Sequence, residues 1–347
     1  MLKFVSLSSG SSGNCYLLSD GTNAILIDAG VSFRSLKRNL MMLGCSLDMI
    51  RCVLVTHDHL DHIRHLGSFC KHLKVPVYAT ETLHRALASH LFTRDWIGPY
   101  RHILKEGMTE PVLTGLYDSV EDYPQVNCFE VPHDATQTVG YFIRWHGRSF
   151  FLMTDAGRVT EEAVGYASRA DAVVIESNYD PAMLFSGPYP HELRMRISRG
   201  NGHLSNDECA EAVRRIWHPG LRHIFLCHLS ENNNTPSLAF DASSDALRNP
   251  CGTGQPAATM QSETAKIMKP RAVMAYFQDL YLQAAISEAW MRKAKAHEYA
   301  VTHIPMNPAT LNMEARLTTP RMIRTRMTSE TSFSRPVLPL NGKGIVQ

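Results

Sequence analysis

The sequence predicts an α/β (α+β) protein whose buried strands end on chemically active polar residues. Short apolar runs rich in Val, Ile and Leu alternate with segments of helical periodicity through residue 246, a pattern typical of layered sheets and helices. Several runs are followed directly by His or Asp, most clearly residues 52–55, which precede a stretch that holds three histidines. The chain has 347 residues and is 44% hydrophobic, which suffices for a substantial core.

Charge is divided unevenly along the chain. Residues 247–347 contain 13 Lys and Arg against 6 Asp and Glu, a net charge of +7, which leaves residues 1–246 at −5. We expect residues 1–246 to form the main folded domain. We expect residues 247–347 to be a basic C-terminal extension, largely disordered or weakly docked, with one candidate helix over 271–299. The alternative for this extension is an arm that binds nucleic acid or a partner.

Nothing in the sequence indicates export or a membrane. The first residues do not resemble a signal peptide, and no run approaches the ~18 apolar residues of a membrane span. The eight cysteines form no CxxC pair and several lie in apolar runs, so we expect reduced, structural thiols in a cytoplasmic protein. The sequence does not indicate the oligomeric state.

The predicted elements follow from local periodicity and from turn residues. Residues 91–125 are too weakly patterned for any element to be placed there. The other predictions, in chain order, are strands at 3–7, 15–18 and 24–28, a helix at 33–43, a strand at 52–55, a helix at 64–73, a strand at 75–79, a helix at 80–90, and strands at 126–131, 141–145 and 149–153.

The loop between the first two strands contains Ser-Gly-Ser-Ser-Gly-Asn at residues 9–14. Such a segment is commonly a flexible turn. In the other interpretation, its backbone N–H groups and the polar side chains of Ser11 and Asn14 lie near a site that receives an anion.

A metal-binding loop is predicted after the strand at 52–55. His57 and His59 lie two residues apart and can turn toward one ion, whereas Asp61 and His62 begin the next turn and face a second position close by. Imidazole and carboxylate together favour zinc, manganese or iron over calcium, which prefers oxygen ligands only. The alternative is a polar loop of solvated histidines.

The sequence His-Asp-His-Leu-Asp-His at residues 57–62 resembles the HxHxDH signature of the metallo-β-lactamase superfamily. This resemblance implies a four-layer αββα sandwich that holds two divalent metal ions per chain at its rim. It also implies three further ligands that follow later strands, His133, Asp155 and His228. Asp28 would then support the histidine loop, although an Asp before a helical segment can also be a helix cap.

Further motifs resemble the YycJ/WalJ-type branch of this superfamily. They are Ser-Gly-Ser-Ser-Gly-Asn, the strand end that carries Glu176 and Asn178, Tyr-Pro-His-Glu-Leu at 189–193, Gly-His-Leu-Ser at 202–205 and Glu-Asn-Asn ending at Asn233. The resemblance implies a 5′-to-3′ exonuclease that acts on DNA, in mismatch repair. The Gly-His-Leu-Ser motif also resembles the tRNA 3′-processing endoribonucleases, in which the equivalent of His203 protonates the leaving oxygen. Capping or packing at a helix start is the alternative for His203.

The resemblance implies a division of roles among these residues. One ion would be held by His57, His59 and His133, the other by Asp61, His62 and His228, and Asp155 would bridge them. A metal-bridging hydroxide, oriented by Asp61, would attack phosphorus while His203 acts as the acid. Three arginines after residue 193 would hold flanking phosphates, unless they are merely a solvated helix face: Arg194, Arg196 and Arg199.

Two other functions remain open at this stage. The same ions could hydrolyse a small ester, thioester or lactam, or the protein could be a metal-stabilised binding module. RNA remains an alternative to DNA as the substrate.

Overall fold

A computed structural model describes residues 2–248 and the short segments 265–267 and 273–276. In these residues the chain forms two mixed β-sheets that pack face to face, with helices on the outer faces. The predicted four-layer αββα sandwich is confirmed. None of the helices in the described part of the chain is long and apolar enough to cross a membrane.

The first sheet begins antiparallel and becomes parallel. Its strands are β1 (Lys3–Ser8), β2 (Cys15–Ser19), β3 (Ala24–Ile27), β4 (Ile50–Leu54), β5 (Val77–Ala79), β6 (Arg101–Ile103) and β14 (Val273–Tyr276). The spatial order is β14-β1-β2-β3-β4-β5-β6, with parallel pairing from β3 to β6. Every residue of β3 is buried, which explains its uninterrupted apolar sequence, because a strand covered on both faces needs no polar alternation.

The second sheet has a similar division. Its strands are β7 (Thr109–Pro111), β8 (Gln125–Glu130), β9 (Val139–Trp145), β10 (Arg148–Met153), β11 (Ala172–Glu176), β12 (His223–Cys227) and β13 (Ala265–Ile267). The order is β13-β12-β11-β10-β9-β8-β7, antiparallel from β7 to β10 and parallel from β10 to β13. The predicted hairpin turns through His146 and Gly147, whose φ angles of 48° and 69° suit a tight two-residue turn.

Ten α-helices complete the described part of the chain. Several begin at a hydroxyl side chain that accepts a hydrogen bond from the backbone of the first turn, as Thr80 and Ser205 do. The helices are α1 (Phe33–Met42), α2 (Leu60–Ile63), α3 (Leu66–Leu73), α4 (Glu81–Ser89), α5 (Arg94–Ile97), α6 (Glu161–Ala167), α7 (Pro181–Ser186), α8 (His191–Ser198), α9 (Asn206–Ile216) and α10 (Pro236–Arg248).

Aromatic side chains join the two sheets. The ring of Phe4 in β1 lies with its centroid 5.0 Å from that of Phe150 in β10 and 5.1 Å from that of Phe225 in β12. A second apolar cluster packs α6, α9 and α10 on the outer face of the second sheet. Each fully buried side chain of this size stabilises the fold by roughly 1.5–3 kcal/mol, so the strand ends that carry the polar residues are held on a rigid frame.

Two segments of the predicted C-terminal extension belong to the sheets. β14 pairs antiparallel with β1, and β13 pairs parallel with β12. The helix predicted over 271–299 is therefore wrong at 273–276, where Val-Met-Ala-Tyr forms an edge strand, and the rest of that range lies outside the described residues. Edge strands of three or four residues are too short for a periodic signal, which is why the sequence did not reveal them.

The weakly patterned region 91–125 contains only short elements. α5, β6 and β7 have three or four residues each, and most of their side chains are exposed. Hydrophobic periodicity arises from burial of one face, so elements this short and this exposed leave little trace in a sequence.

Candidate metal centre

The ends of several strands converge at one edge of the sandwich. β4 leads to His57 and His62, β8 leads to His133, β10 to Asp155 and β12 to His228. In parallel β-structure the carboxyl ends of strands meet at the same edge, so residues far apart in the sequence come together there. The structure thus brings together the residues that the sequence predicted as metal ligands.

Three residues that directly or closely follow a strand have a left-handed backbone: Asp28 after β3, Asp155 after β10 and His228 after β12. The φ angles of Asp28, Asp155 and His228 are 64°, 53° and 52°. This region is unfavourable for residues other than glycine, at a cost of order 1–3 kcal/mol each. All three face the same cluster, which indicates that their side-chain positions are maintained at the expense of backbone strain.

One group of donors consists of His57, His59 and His133. Their donor atoms lie within 4.8 Å of one another, and Nδ1 of His59 is 3.3 Å from Nε2 of His133. His57 is fully buried and its Nε2 has no hydrogen-bond partner in the described structure.

The second group consists of Asp61, His62 and His228, again within 4.8 Å. Asp155 lies between the two groups. Its Oδ2 is 3.1 Å from Nε2 of His62, and its Oδ1 is 3.5 Å from Nε2 of His228 and 3.9 Å from Nε2 of His133. This carboxylate is therefore positioned to contact ions in both groups.

The imidazoles are oriented by hydrogen bonds at the ring nitrogen that faces away from the cluster. Such bonds fix the ring and leave the other nitrogen for a metal. The contacts are Nδ1 of His57 with Oγ1 of Thr56 at 3.0 Å, Nδ1 of His62 with Oδ2 of Asp28 at 2.7 Å, Nδ1 of His133 with the Gly202 carbonyl at 2.8 Å, and Nδ1 of His228 with Oε1 of Glu176 at 2.8 Å.

The donor set fits divalent metal. Nε2 of His57 and Nε2 of His228 are both buried without a hydrogen-bond partner in the described structure, and an unsatisfied buried polar atom costs about 1–3 kcal/mol. A divalent cation would satisfy both atoms and would offset the negative charge of the buried carboxylates. Imidazole and carboxylate donors without thiolate suit zinc, manganese or iron(II).

Charge coupling inside the cluster is strong. Burial raises the pKa of Asp155, but the neighbouring imidazoles of His228 and His62 outweigh it and hold the pKa well below the usual value. Burial lowers the pKa of His62, but the carboxylates of Asp155 and Asp28 outweigh it and raise the pKa to about 10. At His57, by contrast, burial is the dominant effect and holds the pKa well below the usual value.

Asp28 lies directly behind the histidine loop. Its Oδ2 accepts hydrogen bonds from His62 and, at 2.8 Å, from Oγ1 of Thr56, and its Oδ1 accepts from the Thr56 backbone at 2.8 Å. The alternative of a helix cap does not apply, because Ser32 caps α1. Thr56 contacts both Asp28 and His57, and it was not predicted, because a Thr at a strand end carries no distinctive signal in a sequence.

Asn14 attaches the Gly/Ser loop to the cluster. Its Nδ2 lies 3.3 Å from Oδ2 of Asp61 and 2.8 Å from Nε2 of His62, and its Oδ1 accepts from the Gly10 backbone at 2.8 Å. Gly30 makes this approach feasible, because a Cβ there would lie 1.8 Å from the Asp61 carbonyl oxygen. Ser11 is exposed in the same loop and lines the cleft above the donors.

Glu176 connects the cluster to His203. Its Oε1 lies 2.8 Å from Nδ1 of His203 and 2.8 Å from Nδ1 of His228. Burial lowers the pKa of His203, but the charge and hydrogen bond of Glu176 outweigh it, so the pKa is raised above the usual value. His203 does not cap α9, since Ser205 does so in a capping box with Glu208.

Two predicted asparagines support the loops around the cluster. Asn178 donates from Nδ2 to the His228 carbonyl at 2.8 Å. The backbone N–H of Asn233 donates to Oγ of Ser230 at 3.2 Å, and its backbone carbonyl accepts from the Asp180 N–H at 2.8 Å. Asn233 therefore stabilises the loop after β12. It does not line the cleft.

Comparison with known proteins identifies the family. Residues 23–228 match the family model described as the β-lactamase superfamily domain. The chain belongs to this family. Exodeoxyribonuclease WalJ of Streptococcus pneumoniae is 32% identical over 68% of this chain and 85% of its own length. Exodeoxyribonuclease YycJ of Bacillus anthracis is 31% identical over 69% of this chain and 86% of its own length.

These matches confirm a YycJ/WalJ-type protein with the metallo-β-lactamase fold. The metallo-β-lactamase fold protein YhfI from Bacillus subtilis superposes with a TM-score of 0.55 at 12% identity. That comparison covers 80% of this chain and all of YhfI, and at this identity it supports the fold alone. The family implies a metal-dependent hydrolase.

The three arginines predicted to hold phosphates lie in or just after α8 and have different positions relative to the cleft. Arg196 lines the cleft and donates from Nε to Oδ2 of Asp134 at 2.5 Å. Arg194 instead donates to the Phe185 carbonyl and does not line the cleft. Arg199 is exposed just after α8 and does not line the cleft.

Asp134 is a cleft residue that was not predicted from the sequence. Its Oδ1 lies 3.4 Å from Nε2 of His133 and 3.8 Å from Nε2 of His59, and Arg196 neutralises it from the other side. Burial raises the pKa of Asp134, but the Arg196 hydrogen bond outweighs it and lowers the pKa. The only sequence signal was its position next to His133.

Proposed function

We propose that this chain is a divalent-metal-dependent phosphodiesterase that degrades DNA from a 5′ end. The main structural support is the Glu176–His203 pair, which lies beside two adjacent groups of metal donors, so a proton donor is close to where a phosphate would bind. The support for DNA is the likeness to two relatives named exodeoxyribonucleases. Mismatch repair would be a suitable process for such an activity.

In this proposal two ions bind per chain. His57, His59 and His133 would hold one, Asp61, His62 and His228 would hold the other, and Asp155 lies between the two groups. We expect zinc or manganese, with iron as a third option. Two such ions would supply a lowered pKa for bound water and stabilisation of the charge on phosphate oxygens.

The protein side chains supply orientation and a proton. Asp61, held by Asn14, accepts a hydrogen bond from the attacking water and aligns it with phosphorus. This water loses one proton to solvent, and its oxygen forms a bond to phosphorus as the bond from phosphorus to the leaving 3′ oxygen breaks. His203, protonated beside Glu176, gives its proton to that oxygen, which leaves as a hydroxyl group. Asp28, Glu176 and Asn178 position the side chains that perform these steps.

A second candidate follows from the size of the cleft. At about 300 Å³ it would also accept a small ester, thioester or lactam, which other metallo-hydrolases cleave with similar donors. An endoribonuclease of the tRNA 3′-processing type is a further alternative, because a general acid serves RNA cleavage equally well.

The experiment that separates these functions compares substrates on one preparation. The protein is stripped with a chelator, reconstituted with manganese or zinc, and offered linear duplex DNA, structured RNA and a generic thioester at matched concentrations. We expect cleavage of DNA that depends on added metal. Metal-dependent turnover of the thioester or the RNA without cleavage of DNA would overturn the proposal.

We also expect the protein to work in the cytoplasm. All seven cysteines in the described part of the chain are free, and six of them are buried, as is typical of proteins in reducing compartments.

A further inference from the structure

We infer that the α8 side of the cleft is a subsite for one unpaired terminal nucleotide. In this inference Tyr189, Leu193 and Ile197 contact the base, and Arg196 contacts its phosphate. The inference rests on the proposed phosphodiesterase function and adds the form of substrate that the site accepts, a single-stranded end.

The cleft has two chemically different walls. One wall is formed by metal donors and the proposed acid, namely His59, Asp61, Asp155, His203 and His228. The adjoining wall is formed by Tyr189 and three residues of α8: Leu193, Arg196 and Ile197. The two walls meet where the backbone N–H of His203 donates to the carbonyl of Ile197 at 2.8 Å. Apolar side chains next to a few polar groups are typical of pockets that bind organic ligands.

The apolar side chains of α8 that line the cleft are not part of the buried hydrophobic core. Leu193 and Ile197 are four residues apart and therefore lie on the same face of α8, and α8 has no buried residue. Their partly exposed side chains thus remain available in the cleft. The hydroxyl of Tyr189 accepts a hydrogen bond from Nδ2 of Asn232 at 3.1 Å, which restrains its ring at the cleft edge. An aromatic ring beside aliphatic side chains is a suitable surface for a base.

Arg196 is the only Lys or Arg among the residues of the described structure that line this cleft. It pairs with Asp134, whose Oδ1 lies 3.4 Å from Nε2 of His133, so its guanidinium is close to the donors. Guanidinium groups bind phosphate in a bidentate manner, and a phosphate can compete with one carboxylate for this side chain. A nucleotide could therefore contact Arg196 and the donor wall together.

The volume limits what can enter. A cleft of about 300 Å³ is at the small end of ligand pockets. This volume is close to that of one nucleotide and smaller than that of a base pair, and we therefore infer that the terminal base leaves its partner and its stacking neighbour to enter. This separation has an energetic cost in a duplex and none in a single strand, and therefore overhanging 5′ ends should be better substrates than recessed ones.

Binding can be measured without relying on cleavage. The metal-loaded protein is mixed with a DNA strand that carries 2-aminopurine as its 5′ base and a phosphorothioate at its first linkage, which slows hydrolysis. Stacking on Tyr189 should quench the fluorescence. We expect Tyr189→Ala to reduce the quenching and weaken affinity about tenfold, whereas Tyr189→Phe retains both. Phe92→Ala is the matched control, because Phe92 is an exposed aromatic residue outside the cleft.

A kinetic comparison gives an independent measurement. We expect kcat/KM to be at least about fivefold higher for a 5′ overhang than for a recessed 5′ end, and Tyr189→Ala should reduce this ratio. Wild-type protein that cleaves DNA but shows no quenching and no preference for overhangs would overturn the subsite and leave the proposed function intact. Quenching that depends on Tyr189 in a protein that cleaves no phosphodiester would support the subsite and overturn the proposed function.

Discussion

Oε1 of Glu176 lies 2.8 Å from Nδ1 of His203, and the same oxygen lies 2.8 Å from Nδ1 of His228. One buried carboxylate therefore orients both a proposed metal ligand and the proposed acid. The other carboxylate oxygen of Glu176, Oε2, accepts a hydrogen bond from the backbone N–H of Ala156 at 2.8 Å. Ala156 directly follows Asp155 in the sequence, so this bond holds Glu176 close to Asp155. One proposed metal ligand, His228, and the proposed proton donor, His203, are thus held by a single side chain, and variants at each position separate their roles.

His203→Ala should lower the rate by ~10²–10⁴, the range expected when a general acid is lost, while metal content stays unchanged. His57→Ala should instead lose metal, because Nε2 of His57 is a proposed ligand atom. This atom is buried and has no hydrogen-bond partner in the described structure. Elemental analysis and single-turnover kinetics on both variants measure these effects. Equal loss of metal in the two variants would show that His203 is a ligand or a structural support.

Glu176→Gln should shift the alkaline limb of the kcat/KM profile to lower pH. Glu176 raises the pKa of His203, so removing its charge lowers that pKa, and the protonated acid is then lost at lower pH. Glu162→Gln, at an exposed position on α6, is the control and should leave the profile unchanged. Metal content is measured in parallel, since His228 also contacts Glu176. An unshifted limb at full metal content would refute the pairing of acid and carboxylate.

The metal-free protein should lose stability as pH rises from 7 toward 10. Asp155 and Asp28 hold the pKa of His62 at about 10, above its ordinary value of 6.5. A raised folded-state pKa contributes stability that is fully present below the ordinary value and is lost as pH rises through the folded value. Thermal unfolding of chelated protein tests this.

A matched pair of variants assigns that effect to His62. Asp28→Asn should shift the loss of stability to lower pH, because one of the carboxylates that raise the His62 pKa is removed. Asp245→Asn is the control, because Asp245 is exposed and pairs with Arg248 at 2.7 Å on α10. The same pH dependence in both variants would exclude His62 as the responsible group.

We expect two C-terminal truncations to differ in stability, because one removes the edge strands β13 and β14 and the other keeps them. A chain that ends at 246 lacks β13 and β14, so β1 and β12 become open edges, and we expect a lower Tm and aggregation. A chain that ends at 276 keeps both pairings and should keep its rate at saturating DNA. An intact Tm in the shorter chain would contradict the structural role of these strands.

The basic residues beyond 276 should contribute to DNA affinity through phosphate neutralisation. Every phosphate that a protein neutralises on duplex DNA adds about 0.9 to the slope of log K against log salt. The chain that ends at 276 should therefore bind DNA with a shallower salt dependence than the full chain. Equal slopes for the two chains, measured by titration over a range of salt concentrations, would exclude this segment from DNA binding.

The sequence was most informative where chemistry and burial coincide. The fold class and the convergence of His57, His133, Asp155 and His228 were predictable, because the motif at 57–62 resembles a family signature and that resemblance implied the three later residues, each after an apolar strand. Thr56 and Asp134 were not predictable, since their importance depends on contacts between strand ends that are distant in sequence. The structure was also needed to separate Arg194 from Arg196, because side chains two residues apart on a helix point to opposite sides and only the structure shows which side faces the cleft.

In the proposed function, the metal-loaded protein removes nucleotides from DNA 5′ ends. The most direct measurement uses a linear duplex labelled at its 5′ end and a closed circular duplex, each with metal and with chelator. We predict that label is released from the linear duplex as mononucleotides or short fragments, only with metal, and that the circle survives. Cleavage of the circle as fast as the linear duplex, or release of label in chelator, would contradict this account.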